Sequence, residues 1–269
     1  MIASARSSRS CGQRDEVASE MANEEETLTW AEKQETFSDR NSVLFDRHSG
    51  EEAAVFTSAM TVLYACFEED LINRVEQTNL RVCAAMLSQP YQQLVSCWSE
   101  LRCGRLLAAS VHWRSIAEAP AFVLAAAEDA NFALEWADTG QRKTVKPERA
   151  RRLAKRRLNR MSNEAGSSWA TNRSRDSRMY EPYSHFSPSA ARLAFLDPDS
   201  GAEGLYSAPE GVYSPRVRAA AMHTAVLALD VVTLTYLALG SCMSEDWRAS
   251  AHDAVVQGHV ALKRLGAYA

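Results

Sequence analysis

The sequence predicts an all-α fold, a bundle of six or seven helices with one long loop excursion before the last two. Three observations carry this. Apolar residues recur at spacings of three and four, as in Phe56, Met60, Leu63, Phe67 and Leu71. A 22-residue apolar run, AAAMHTAVLALDVVTLTYLALG, lies at 219–240, too long for a strand. Helix punctuation brackets these runs, with Ser49 and Glu52 before the first, Ser214 and Pro215 before the last long one and Gly240 after it.

Taken in order, residues 1–25 read as a disordered leader, and Met21 is as good a start as Met1. The rest, 26–269, reads as one helical domain. Leu28 to about Asp46 looks like a weak helix or two short ones. Glu51 to about Leu87 reads as one long helix opened by a Ser49/Glu52 capping box. A second long helix is expected to open at Pro90, run through Leu107 and be kinked or restarted at Pro120, where a ring nitrogen cannot donate to Ile116. It then continues through Phe132 and Trp136 to Gly140. PERARRLAKRRLNRM, 147–161, reads as a basic helix. Residues 162–214 are rich in Ser, Pro, Gly and Tyr and predict the excursion, with at most a small hairpin pairing 192–196 with 203–208. Pro215 opens the apolar helix, and Ser244 caps a last one reaching about Leu265.

Composition narrows the function classes. A 46% hydrophobic chain builds a substantial core, which excludes disorder throughout. A net charge of -4 gives no global field for nucleic acid or anionic lipid. The cysteines at 11, 66, 83, 97, 103 and 242 form no CxxC pair, and together with the absence of a signal-peptide pattern they point to free thiols in the cytoplasm. The 219–240 run could span a bilayer by length, but Asp230 at its middle would cost about 2.5–3.5 kcal/mol there, so a buried core helix and no membrane partner are expected.

Ionisable groups inside apolar helices mark the candidate site. In SVHWRSIAEAP, a helical wheel places Arg105 and His112 on one side and Ser110, Arg114 and Glu118 on the other. His112 is thereby paired with Arg105 and read as structural. Arg114 and Glu118 have the spacing of an i, i+4 ion pair, and together with Asp230 they are expected to form one buried network between two central helices. In MYEPYSHFSPSAAR, Tyr183, Ser184 and His185 are candidate ligand-contacting groups on a loop, or equally packing groups for it.

The run from Arg142 to Arg160 holds ten Lys or Arg against one Glu148, and RNA is the partner that such a helix would suit. There is no HExxH, ExxH pair, GxSxG or Gly-rich phosphate loop, so no metal ligand and no cofactor is assigned. Arg and His separated by four to six residues, the template of HEPN ribonucleases, occur as Arg105/His112, Arg178/His185, Arg216/His223 and Arg218/His223, at about the chance level for so much Arg.

The succession of LLAASVHWRSIAEAPAFVLAA, a basic helix, YEPYSHFSPSAA and a long apolar helix resembles a family of bacterial all-helical proteins with an Arg-x-x-x-Glu helix and a later Tyr/Ser/His segment. The resemblance spans about residues 50–240, places Arg114 and Glu118 on the first motif and Tyr183 and His185 on the second, and implies fold rather than a reaction. Pro120, two residues after the glutamate, departs from that pattern. The leading expectation is a binding or interaction module, with a homodimer as one mode of association. The alternative is a metal-independent ribonuclease of HEPN type, in which His185 is the base and an Arg stabilises the phosphorane.

Overall fold

The computed structural model describes residues 29–68, 78–138, 147–160 and 215–267, and among them there are eight α-helices and no strand. The 1–25 leader and the 162–214 excursion, with its hairpin, lie outside the described residues.

Helix α1 (Trp30–His48) is a single helix, closed at its start by a capping box. Thr29 Oγ1 accepts from the Glu32 amide, and Glu32 Oε2 accepts from the Thr29 amide at 2.8 Å. Those Thr29 hydrogen bonds, the side-chain one foremost, hold the Glu32 carboxyl below its usual range. Helix α2 (Gly50–Glu68) follows with no loop between. The Glu52 half of the expected Ser49/Glu52 box is directed elsewhere, its Oε1 accepting from Arg218 Nε at 2.8 Å. The Ser49 amide already donates to Phe45 O at 2.8 Å, completing α1, and so is no orphan donor for Glu52.

The long helices divide at places other than the prolines. Helix α2 is described to Glu68, residues 69–77 lie outside the described residues, and α3 (Thr78–Arg102) carries Pro90 inside it. Helix α4 (Leu106–Glu128) likewise continues through Pro120 without restarting. An internal proline costs a helix about 3 kcal/mol in isolation, but both prolines are buried and α3 and α4 make the most extensive helix pair of the fold. The actual break lies at Gly104, whose φ of 75° is left-handed. There the Arg105 amide donates to Glu100 O at 2.8 Å and the Gly104 amide to Leu101 O at 2.9 Å, a Schellman closure of α3. A second unexpected break falls at Asp129, whose Oδ1 accepts from the Asn131 and Phe132 amides and opens α5 (Ala130–Asp138).

Helices α6 (Pro147–Arg160), α7 (Pro215–Leu239) and α8 (Glu245–Arg264) start where the sequence places them. Ser244 Oγ accepts from the Trp247 amide at 3.1 Å, as expected of its cap position. Helix α7 packs on α2, α3, α4 and α8, while α4 packs on α3, α5, α6 and α7, so these two form the centre. The stretch Val217–Cys242 is long and apolar enough to cross a membrane, yet 67% of its apolar window is buried in the fold, with Leu227, Leu229, Leu234 and Leu239 in the core. Cys66, Cys83 and Cys97 are buried free thiols, Cys103 is half-buried and Cys242 exposed.

Candidate functional site

The middle of α4 presents the candidate site because it faces a different helix on each side. Arg114 and Glu118 stand one turn apart, and Arg114 Nε donates to Glu118 Oε1 at 3.4 Å. The second partner of Glu118 comes from α6, where Arg151 Nη2 lies 3.9 Å from the same Oε1, and Arg151 also pairs with Glu148 at 3.6 Å. The contacts of Glu118 therefore link Arg114, Arg151 and Glu148, from α4 into the basic helix. Asp230 is buried in the middle of α7, 6% exposed, and the helix that brings Glu118 its second partner is α6, not α7.

Beside Glu118 opens a groove of about 190 Å³ lined by Met86 and Gln89 of α3, Ser115, Glu118, Ala119 and Phe122 of α4, and Trp136 of α5. Each lining residue follows from local structure. Positions 115, 118, 119 and 122 form one stripe of α4 at helical spacing, and the Asp129 cap turns α5 back so that Trp136 reaches that stripe. Among the described residues the lining combines two aromatic rings, a thioether, an amide, a hydroxyl and one carboxylate.

The opposite side of α4 is structural, as the wheel suggests, but by other partners than expected. Arg105 does not pair with His112. It lies 3.5 Å from Glu100 and donates to Ser38 Oγ, while the His112 Nδ1–H donates to Gln93 Oε1. Residues 105 and 112 share a face but stand about 10 Å apart along the axis, and the first precedes the helix proper. Burial holds the His112 imidazole below its ordinary value, against a smaller opposing effect of Glu100. Trp113 Nε1 donates to Thr224 Oγ1 of α7 at 3.1 Å, and Thr224 also meets Cys97 Sγ at 3.5 Å. Burial pushes the Cys97 thiol up to about 12, leaving it protonated and unreactive.

The basic helix is not a uniformly solvated face. Arg149 pairs with Glu135 and sits over the Phe132 ring at 5.5 Å, and Arg151 joins Glu118. Arg157 donates to Leu237 O at 3.2 and 2.9 Å, to Ala238 O at 3.1 Å and to Ala127 O at 3.3 Å, capping the ends of α4 and α7 together. The signal was present in the apolar stripe Ala150, Leu153, Ala154, because position 157 continues it and an arginine there must point inward. Arg152, Lys155 and Arg156 remain exposed.

Of the site residues expected from sequence, Arg114 and Glu118 are brought together, Asp230 is buried on α7, and Tyr183, Ser184 and His185 lie outside the described residues. The sequence reading missed Arg151 and the groove residues Met86, Gln89, Ser115, Phe122 and Trp136 as site members. Among the described residues no three metal-ligating side chains gather. Comparison of the chain with protein-family models, curated proteins and solved structures finds no match.

Proposed function

We propose that this chain is a binding module whose recognition site is the groove at Glu118, with Arg114 and Arg151 flanking the carboxylate. One observation carries the reading: a carboxylate flanked by arginines from two helices, with acceptor capacity left over, forms part of the wall of a groove beside two aromatic rings. The lining sets three polar side chains, Gln89, Ser115 and Glu118, among apolar and aromatic ones, and convergent polar groups of this kind orient small ligands. At 190 Å³ the groove is smaller than the about 300–1,000 Å³ of drug-sized sites, which suits a side-chain-sized group. Tyr183, Ser184 and His185 are kept in the proposal as further ligand contacts, and buried thiols at Cys66, Cys83 and Cys97 support a reducing, cytoplasmic setting. The test is to add small probes of differing charge to the full chain and follow the Trp136 indole resonance. A shift with any of them supports the reading, and silence with all of them removes it.

The ribonuclease reading rests on the exposed Arg152, Lys155 and Arg156, while Arg149, Arg151 and Arg157 are engaged within the fold. Incubation with RNA in EDTA, comparing wild type with His185→Ala, is expected to show no cleavage. Cleavage abolished by that substitution would replace the binding reading with a catalytic one.

A further inference from the structure

We infer that the groove selects an organic cation, an alkyl ammonium or guanidinium on a short apolar stem. This rests on the groove being a binding site and adds the class of its ligand. Among the described residues that line the groove Glu118 is the ionisable one, so the charge they present to a ligand is negative. The arginines that hold Glu118 are not in the lining, and Arg151 is shared between Glu118 and Glu148.

The carboxylate also has acceptor capacity to spare. Both arginine contacts fall on Oε1, at 3.4 and 3.9 Å, well beyond the about 2.9 Å of a well-made N–H···O bond. Glu118 Oε2 takes no hydrogen bond from the described residues, and the side chain retains 24% of its exposure. A carboxylate accepts four hydrogen bonds, so an incoming N–H group finds free lone pairs there.

Phe122 and Trp136 supply the other half of cation recognition, since the negative face of an aromatic ring attracts an ammonium or guanidinium and Trp does so best. The same pairing already exists on the neighbouring turn. The Arg149 guanidinium lies over the Phe132 ring and pairs with Glu135, the residue next to Trp136. Met86 and Ala119 give the stem an apolar wall, and Gln89 and Ser115 offer oxygens to remaining N–H donors.

The experiment titrates the full chain with n-butylammonium, n-butylguanidinium, n-butanol and n-butyrate, reading the tryptophan emission that is lost in Trp136→Phe. The cations are expected to bind with a dissociation constant of about a millimolar. They should bind at least about tenfold more tightly than butanol, and Glu118→Gln should remove that preference. Equal or tighter binding of butanol or butyrate would overturn the cation assignment while leaving the groove as a binding site. No Trp136-dependent change with any probe would overturn both. The ranking of probes on the wild-type chain decides the class even without the variant.

Discussion

Arg157 shows how much one residue of a basic helix can hold. Four donated hydrogen bonds tie α6 to the carboxyl ends of α4 and α7, where unpaired carbonyls and two helix dipoles converge. Arg157→Met keeps the stem and deletes the donors, and a loss of about 2–3 kcal/mol in urea unfolding is expected. Arg157→Lys should recover less than half of it, since one ammonium cannot fork between two helix ends. His112 makes a different claim. Burial holds its imidazole below the ordinary 6.5, so the unfolded chain takes up a proton there before the folded one does. The stability it confers is whole above 6.5 and declines as pH falls from 6.5 through the folded value. Urea midpoints taken from about pH 8 to about pH 5 should therefore fall further in wild type than in His112→Gln. Equal slopes would remove His112 from the account. The wheel places this histidine on the side of α4 away from Glu118, but it could not choose Gln93 over Arg105. That choice depends on how α3 and α4 register, which one helix's periodicity does not contain.

At the scale of elements, close approach is the feature that periodicity leaves out. Gly258 of α8 is buried where a Cβ would stand 2.7 and 2.8 Å from the two Cδ atoms of Leu229 on α7 and 3.2 Å from Val55 of α2. Leu229 is fully buried and has little room to yield. Gly258→Ala should cost about 1–3 kcal/mol through overpacking, even though alanine favours helix more than glycine does, and thermal unfolding reads the sign. An unchanged or raised midpoint would show that the three helices do not meet this closely. The same distinction explains which boundaries were legible. Ser244 and Pro215 mark helix starts by local chemistry and lie where the sequence puts them. Pro90 and Pro120 mislead because tertiary packing overrides their local cost, whereas Gly104 and Asp129 end and begin helices by hydrogen bonds that a hydrophobic pattern does not display.

For the whole molecule, the all-α class follows from apolar spacing alone, and the central place of α7 follows from a run apolar on every side. The Arg114/Glu118 pair was likewise legible as i, i+4 spacing. The groove was not, because it depends on how three successive helices fold back on one another, and Trp136 enters it through a cap at Asp129. Nor was Arg151, hidden in a run of charges that reads as one solvated face. The buried Glu52 belongs to the same class of surprise. Its Oε1 accepts from Arg218 of α7 at 2.8 Å, while the sequence assigned Glu52 to a cap.

The central claim is that Glu118 is held for a ligand and not for the fold. Its contacts are long and its side chain is partly exposed, so the pair with Arg114 contributes less than about 1 kcal/mol. The direct measurement is paired urea unfolding and n-butylammonium titration of wild type and Glu118→Gln. Stability within about 1 kcal/mol of wild type, together with at least about tenfold weaker binding, is the result predicted. A variant that loses more than about 2 kcal/mol of stability, with n-butylammonium binding unchanged, would contradict the account and make Glu118 a structural ion pair.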